Sequence, residues 1–154
     1  MVYRVLRLAA LLVIATLAVV TLAGCAGQTT ASVTSAAYSL APESGLPDFL
    51  SDAAPRVREA YQFAIANPHA LETVPCYCGC GNMGHKSNLN CYIKDIDKAG
   101  SVTFDNHADG CGICVDITQD VMRLMRDGRS PKDIRTYIDA TYGSFGPSTD
   151  TFMP

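Results

Sequence analysis

The stretch "PCYCGCGNMGH" at residues 75–85 places three cysteines at alternate positions, with a histidine five residues after the last of them. Side chains at alternate positions of an extended strand point to opposite faces, so one centre can use all three thiols only if the backbone turns between them. Gly79 and Gly81 permit such a turn, because glycine adopts backbone conformations that other residues avoid. The stretch therefore predicts a folded, thiol-rich loop.

A second run, "HADGCGIC" at residues 107–114, combines a histidine with a Cys-x-x-Cys pair, and a single cysteine lies between the two runs. Thiolate sulfur and imidazole nitrogen are ligands that Zn²⁺ and Cu⁺ prefer. The pattern predicts a metal centre that binds one or two ions of Zn²⁺ or Cu⁺. Its candidate ligands are Cys76, Cys78, Cys80, His85, Cys91, His107, Cys111 and Cys114.

Structural zinc usually takes four ligands in a tetrahedron, so eight ligands make two sets. Sequence order favours a set of Cys76, Cys78, Cys80 and His85 and a set of Cys91, His107, Cys111 and Cys114. Other divisions are consistent with the same residues, including a Cys₄ site with copper or with a disulfide beside it. Met83, a soft thioether in the loop, favours copper slightly, although a loop residue with no ligand role is the simpler interpretation.

Structural disulfides are one alternative. An exported domain with an even number of cysteines is the usual setting for a disulfide framework, and setting Cys25 aside leaves six of the seven cysteines. Cysteines two positions apart rarely bridge each other, so each thiol of the first run would need a distant partner. The result would be a disulfide-stapled interaction module.

Thiol redox catalysis at Cys111 and Cys114 is the other alternative. A Cys-x-x-Cys pair at a helix start is typical of thiol oxidoreductases, because the helix dipole lowers the thiol pKa and the thiolate both attacks and leaves. No βαβ pattern precedes this pair.

The amino-terminal residues 1–24 combine two arginines with a long apolar run, which is the layout of an export signal. The run ends in "LAGC", which resembles the lipobox of bacterial lipoproteins; that resemblance implies cleavage before Cys25 and lipidation of its thiol. Residues 25–48 are rich in Ala, Ser, Thr, Gly and Pro and are predicted to form a flexible tether. We expect a folded domain over residues 49–145 and a tail over residues 146–154.

Three helices are predicted within this domain. Apolar residues recur at helical spacing from Val57 to Ile65, after Pro55 and before an Asn-Pro stop. A second stripe runs from Ile113 to Met125 and ends near Gly128. A third begins with "SP" at residues 130–131, a capping serine before a first-position proline. The segments "CYIKDI" and "SVTF" are consistent with short strands, or "SNLNCYIKDI" with a helix capped at Ser87.

Composition and motifs limit the functions further. The formal net charge of −3 provides no basic surface for nucleic acid. No nucleophile with a base, no Gly-rich phosphate loop and no paired carboxylates stand out. We therefore expect a binding protein more than an enzyme, mostly α-helical, with a Cys/His-rich loop region and a carboxyl-terminal helical hairpin. The acids Asp105, Asp109 and Asp116 flank the second run and could orient His107, although solvated loop acids are the simpler interpretation.

The segment "PCYCGCG", followed by "GHKSNLNCYI" and then by a Cys-x-x-Cys pair, resembles the bacterial lipoproteins named for their PCYCGC motif. The resemblance covers about residues 49–142. It implies an exported, lipid-anchored, cysteine-rich domain on the outer face of the cytoplasmic membrane or elsewhere in the cell envelope. Membrane lipid, a metal ion and another envelope protein are the partners to expect.

The carboxyl-terminal segment "LMRDGRSPKDIRTYIDATYGSF", together with the Cys-x-x-Cys pair before it, is similar to the small thioreductase subunit of cytochrome c maturation. The similarity covers about residues 111–145. It implies a helical hairpin and keeps thiol redox chemistry as the second functional hypothesis.

Overall fold

The computed structural model describes residues 38–154, in which helices predominate. Helix α1 (Pro55–Ala66) is followed by the short helix α2 (Pro68–Glu72). A helical hairpin, formed by α3 (Gly112–Arg126) and α4 (Pro131–Tyr142), lies at the carboxyl-terminal end. The predicted mostly α-helical class is confirmed.

The predicted export signal and the lipobox Cys25 lie outside the described residues. Among residues 38–154, none of the helices has the length and apolar character needed to cross a membrane.

The helix boundaries follow the local signals in the sequence. Proline occupies the first turn of both α1 and α4, where its missing N–H has no partner to lose. The Ser130 side chain caps α4 by accepting a hydrogen bond from the Asp133 backbone N–H. Gly128 follows α3 with φ 71°, the left-handed conformation in which glycine closes helices at low cost. All three predicted helices are present.

The middle of the chain contains both structures that were predicted as alternatives, a short helix after Ser87 and a pair of strands. Ser87 caps a short 3₁₀ helix, Asn88–Cys91, in a capping box with Asn90. The chain then enters strand β1 (Ile93–Ile96), which pairs antiparallel with β2 (Val102–Phe104). The helix predicted from Ser87 therefore stops after one turn, and the strand takes over.

The core forms where α1, α3 and the segment before β1 meet. The Tyr61 ring of α1 lies edge-on to the Tyr92 ring, with centroids 4.9 Å apart. The Tyr61 hydroxyl donates a hydrogen bond of 2.8 Å to the Asp105 carbonyl, two residues before His107. The largest fully buried side chains include Leu50, Tyr61, Phe63, Leu71, Tyr92, Ile117, Met122 and Ile138. The same core thus supports the helices and the Cys/His loops.

Both chain ends of the described region pack onto this core. The Tyr38 ring lies 5.0 Å from the Phe63 ring, and the Ala41 N–H donates to the Gln62 carbonyl, so residues 38–48 of the predicted tether contact α1. At the other end, Thr149 and Cys76 exchange two hydrogen bonds of 3.0 Å, one through the Thr149 hydroxyl. The segment predicted as a tail therefore covers the start of the "PCYCGC" stretch.

A buried polar network ties the loop region to α3. The Thr118 hydroxyl donates to the Asn88 side-chain carbonyl at 2.7 Å and lies 2.7 Å from the Tyr92 hydroxyl. The Tyr92 hydroxyl and the Asn88 amide both donate to the Cys114 carbonyl, at 2.9 and 3.3 Å. This network determines where the first turn of α3 lies relative to the 3₁₀ helix of Cys91.

Replacing Asn88 by alanine should destabilise the fold, because it leaves buried partners in this network without their hydrogen bonds. We expect a loss of about 1–3 kcal/mol in the free energy of unfolding, measured by urea denaturation. Asn106→Ala, at an exposed asparagine, is the matched control and should change stability little. Equal losses in the two variants would contradict the role assigned to the network.

Candidate metal centre

Five short backbone segments converge to form the site. Cys76 and Cys78 precede the 3₁₀ helix Cys80–Met83, and Cys91 ends the 3₁₀ helix Asn88–Cys91. His107 begins the 3₁₀ helix His107–Asp109. Cys111 is the N-cap of α3, and Cys114 lies in its first turn.

One glycine makes the turn that alternating cysteines require. Gly79 has φ 85°, a left-handed conformation that side chains with a Cβ disfavour. The backbone turns there, and the Cys76, Cys78 and Cys80 thiols all lie within 4.8 Å of one another. Gly81 lies in the 3₁₀ helix without a positive φ, so the turn depends on Gly79 and not on Gly81.

Four donor atoms form a half-exposed set at the start of α3, which we call the outer set: Cys78, His107, Cys111 and Cys114. All four donor atoms lie within 4.8 Å of one another. The Cys78 Sγ is 3.3 Å from His107 Nε2 and 3.6 Å from Cys114 Sγ. Only Cys114 of these residues is fully buried.

The remaining four candidate ligands form what we call the inner set: Cys76, Cys80, Cys91 and His85. Cys76 lies within 4.8 Å of both Cys80 and Cys91. The Cys91 Sγ is 3.7 Å from Cys80 Sγ and 3.6 Å from His85 Nδ1. The three cysteines of this set are 0–1% exposed.

The two sets match the two ligand sets predicted from sequence order, except that one cysteine of each predicted set is exchanged for one of the other. Cys78 lies in the outer set and not with Cys76 and Cys80. Cys91 lies in the inner set and not with Cys111 and Cys114. The exchange follows from two contacts, Cys78 Sγ to His107 Nε2 at 3.3 Å and Cys91 Sγ to Cys80 Sγ at 3.7 Å. Each set remains Cys₃His.

The two sets are in contact. The Cys76 Sγ lies 3.4 Å from the Sγ atoms of both Cys78 and Cys114, which belong to the outer set. The imidazole rings of His85 and His107 lie edge-to-face, with centroids 5.3 Å apart. All eight predicted ligands thus form one continuous cluster.

The thiols of the cluster are free. No disulfide forms among residues 38–154, where all six cysteines are unbridged. The Cys76 and Cys114 sulfur atoms are 3.4 Å apart, whereas a disulfide bond is about 2.05 Å long. The disulfide-stapled alternative therefore has no support in this geometry.

The crowding of the thiols opposes their simultaneous ionisation. Hydrogen bonding from the Cys114 thiol lowers the pKa of Cys76, and the same contact raises the pKa of Cys114. One thiolate is thus stabilised only while its neighbour keeps a proton. A cation at the centre would replace those protons and allow several thiolates to form together.

The Cys-x-x-Cys pair does not have the electrostatics predicted for a redox pair. Burial raises the pKa of the Cys111 thiol above its ordinary value, although its place at the start of α3 predicted a lowered one. Redox cysteines depend on a stabilised thiolate. Burial of Cys111 outweighs the hydrogen bond from the Cys114 backbone N–H, which lowers the pKa, so the lowered pKa predicted for Cys111 is not found.

Asp105 is the acid that supports the histidines, and the other two flanking acids lie elsewhere. Its carboxylate accepts a hydrogen bond of 2.8 Å from the His107 backbone N–H and lies 3.8 Å from His85 Nε2. His85 is thus placed between Asp105 and Cys91, an arrangement that orients metal-binding histidines. Asp116 pairs with Arg56 on the surface, and Asp109 is exposed.

His69 and Met83, which the sequence analysis did not include among the candidate ligands, lie outside the two sets. His69 is exposed and lies 2.8 Å from the Glu72 carboxylate, far from the thiol cluster in the chain. Met83 is 59% exposed, so its thioether gives no support for copper as the bound ion.

Comparison with known proteins identifies one family. Residues 13–154 match the family described as "Protein of unknown function with PCYCGC motif", which confirms the resemblance drawn from the motif. The similarity to the thioreductase subunit of cytochrome c maturation has no support. No curated protein and no solved structure matches the chain.

The turn at Gly79 can be tested against Gly81, its neighbour two residues on. Gly79→Ala should cost about 1–2 kcal/mol in the free energy of unfolding, because alanine disfavours the left-handed conformation. Gly81→Ala should cost less, since its added Cβ would meet only Thr149 atoms at 3.8 and 3.9 Å. Thermal or urea unfolding of both variants provides the comparison, and a larger loss for Gly81→Ala would refute the assignment.

Proposed function

The chain belongs to the family of proteins of unknown function with the PCYCGC motif, and for this member we propose binding of a transition metal, Zn²⁺ or Cu⁺, by the clustered cysteines and histidines. One observation carries the proposal. Six free thiols and His107 form overlapping groups of three or four donor atoms within 4.8 Å of one another, and His85 Nδ1 lies 3.6 Å from Cys91 Sγ.

The donor spacing fits a small tetrahedral ion. With Zn–S bonds of about 2.3 Å, the edge of a ZnS₄ tetrahedron is about 3.8 Å. The sulfur–sulfur distances of 3.6 Å from Cys78 to Cys114 and 3.7 Å from Cys80 to Cys91 need little adjustment to reach it. These two distances support the binding of a tetrahedral ion by each set.

The Cys₃His composition of each set favours zinc, and the number of thiolates keeps Cu⁺ as the second candidate. Soft thiolates bind both ions, so the donor types alone do not choose between them. Identification of the bound ion by mass distinguishes the two.

The ion would also contribute to folding. Cys76, Cys80, Cys91 and Cys114 are part of the buried core, where a protonated thiol packs only as a small apolar group. Because unfolded chains rarely hold preformed sites, the free energy of metal binding adds to the stability of the folded state. Removal of the ion should therefore loosen the loop region.

We further propose that the protein acts at the outer face of the bacterial cytoplasmic membrane. The apolar export signal and the "LAGC" lipobox support this location, with Cys25 as the lipidated residue. Tyr38 already packs on α1, which leaves residues 26–37 as the link between a lipidated Cys25 and the domain. An envelope protein that supplies or receives the ion is the expected partner.

The proposal predicts that the purified protein contains a bound metal ion. The full-length chain, exported in a bacterial host and purified in detergent without chelator or added metal, should carry zinc or copper by native mass spectrometry. All six cysteines of the cluster should react with an alkylating reagent after denaturation, because none is bridged. A metal-free protein with bridged cysteines would refute the proposal.

Cys25 provides a matched cysteine control for the ligands. Cys78→Ser should reduce the metal content, whereas Cys25→Ser should leave it unchanged while preventing lipidation. Elemental analysis of the purified variants measures the first effect, and membrane fractionation measures the second. Equal metal content in Cys78→Ser and the wild type would exclude Cys78 as a ligand.

Acid should release the ion. Thiolates and neutral imidazoles bind metal, and protons compete for the same atoms, so affinity falls as the pH falls. In a pH titration of metal-loaded protein, bound metal should decrease toward low pH, and the fold should lose stability in the same range. Retention of metal in strong acid would contradict thiolate ligation.

A further inference from the structure

We propose that the cluster holds two zinc ions in unequal positions, an inner ion that stays with the fold and an outer ion that exchanges with the surroundings. The inference rests on the proposed metal binding and deepens it. It assigns Cys76, Cys80, Cys91 and His85 to the inner ion and Cys78, His107, Cys111 and Cys114 to the outer ion.

The ligand count requires two ions. A tetrahedral ion uses four donors, and occupation of the outer set alone would leave three buried thiols and an oriented histidine with nothing to bind. His85 is held with Nδ1 toward Cys91 and Nε2 toward Asp105, which is the orientation of a ligand. Each set is a complete Cys₃His, and no thiol or imidazole of the cluster is left over.

Burial makes the two positions unequal. Three ligands of the inner set are 0–1% exposed, and the fourth, His85, has a side chain only 10% exposed. In the outer set, Cys78, His107 and Cys111 all reach partly exposed surface. A competing ligand from solution can therefore approach the outer ion, while access to the inner ion requires the loop region to open.

The metal-loaded, full-length chain provides the test. Native mass spectrometry should find two zinc ions per chain, and a coloured zinc chelator should remove them in a fast phase and a slow phase of equal size. One zinc per chain would overturn this inference and leave the proposed function intact. Two ions released in a single phase would overturn their inequality, and no metal would overturn both proposals.

Two variants test whether the fast phase comes from the outer ion and the slow phase from the inner ion. Cys111→Ser should lower the content from two ions to one and remove the fast phase while the slow phase remains. Cys91→Ser should disturb the slow phase, and its folding is checked by circular dichroism. If Cys91→Ser does not fold, Cys111→Ser still decides the assignment, since loss of the slow phase in that variant would refute it.

Discussion

The contact between the Cys76 and Cys114 thiols, 3.4 Å apart, joins the motif loop to the first turn of the helical hairpin, and the remaining geometry of the site depends on it. The two residues are far apart in the chain and come from regions with different local structure. Once they meet, the turn at Gly79 directs Cys78 toward the outer set and Cys80 toward Cys91. A short loop with few large apolar residues thereby becomes part of the core.

Such a core has an electrostatic constraint. Buried thiols pack as small apolar groups while they are protonated, but several buried thiolates in contact repel one another. The opposite pKa shifts of Cys76 and Cys114 express this constraint in one pair. The proposed metal binding would resolve it for the whole cluster, since an ion supplies the positive charge that the protons otherwise supply.

Two parts of the surrounding structure hold the cluster in place. Asn88 and Tyr92 fix the Cys114 carbonyl and thus the start of α3. Thr149 pairs with the Cys76 backbone, and Arg135, held by the Asp139 carboxylate, reaches the Phe152 carbonyl in the same carboxyl-terminal segment. The region after α4 is therefore part of the site's support, although its composition gave no reason to expect it.

The sequence by itself determined the helices and the ligand types. Proline at helix starts, Ser130 at a cap and Gly128 at a helix end act through local sterics and hydrogen bonds, which is why these boundaries could be predicted. The eight thiols and imidazoles could be named for a similar reason, because metal preference is a property of the side chain alone. The docking of Thr149 on Cys76 had no such local signal.

Only the tertiary structure decided which of the candidate ligands lie together. Sequence order placed Cys78 with Cys76 and Cys91 with Cys111, and the fold exchanges Cys78 and Cys91 between the sets. It also raises the pKa of Cys111, which was expected to be lowered, because burial of this thiol outweighs its hydrogen bonds with Cys114. Both outcomes depend on packing between segments distant in the chain, and local spacing contains no information about how closely such segments approach.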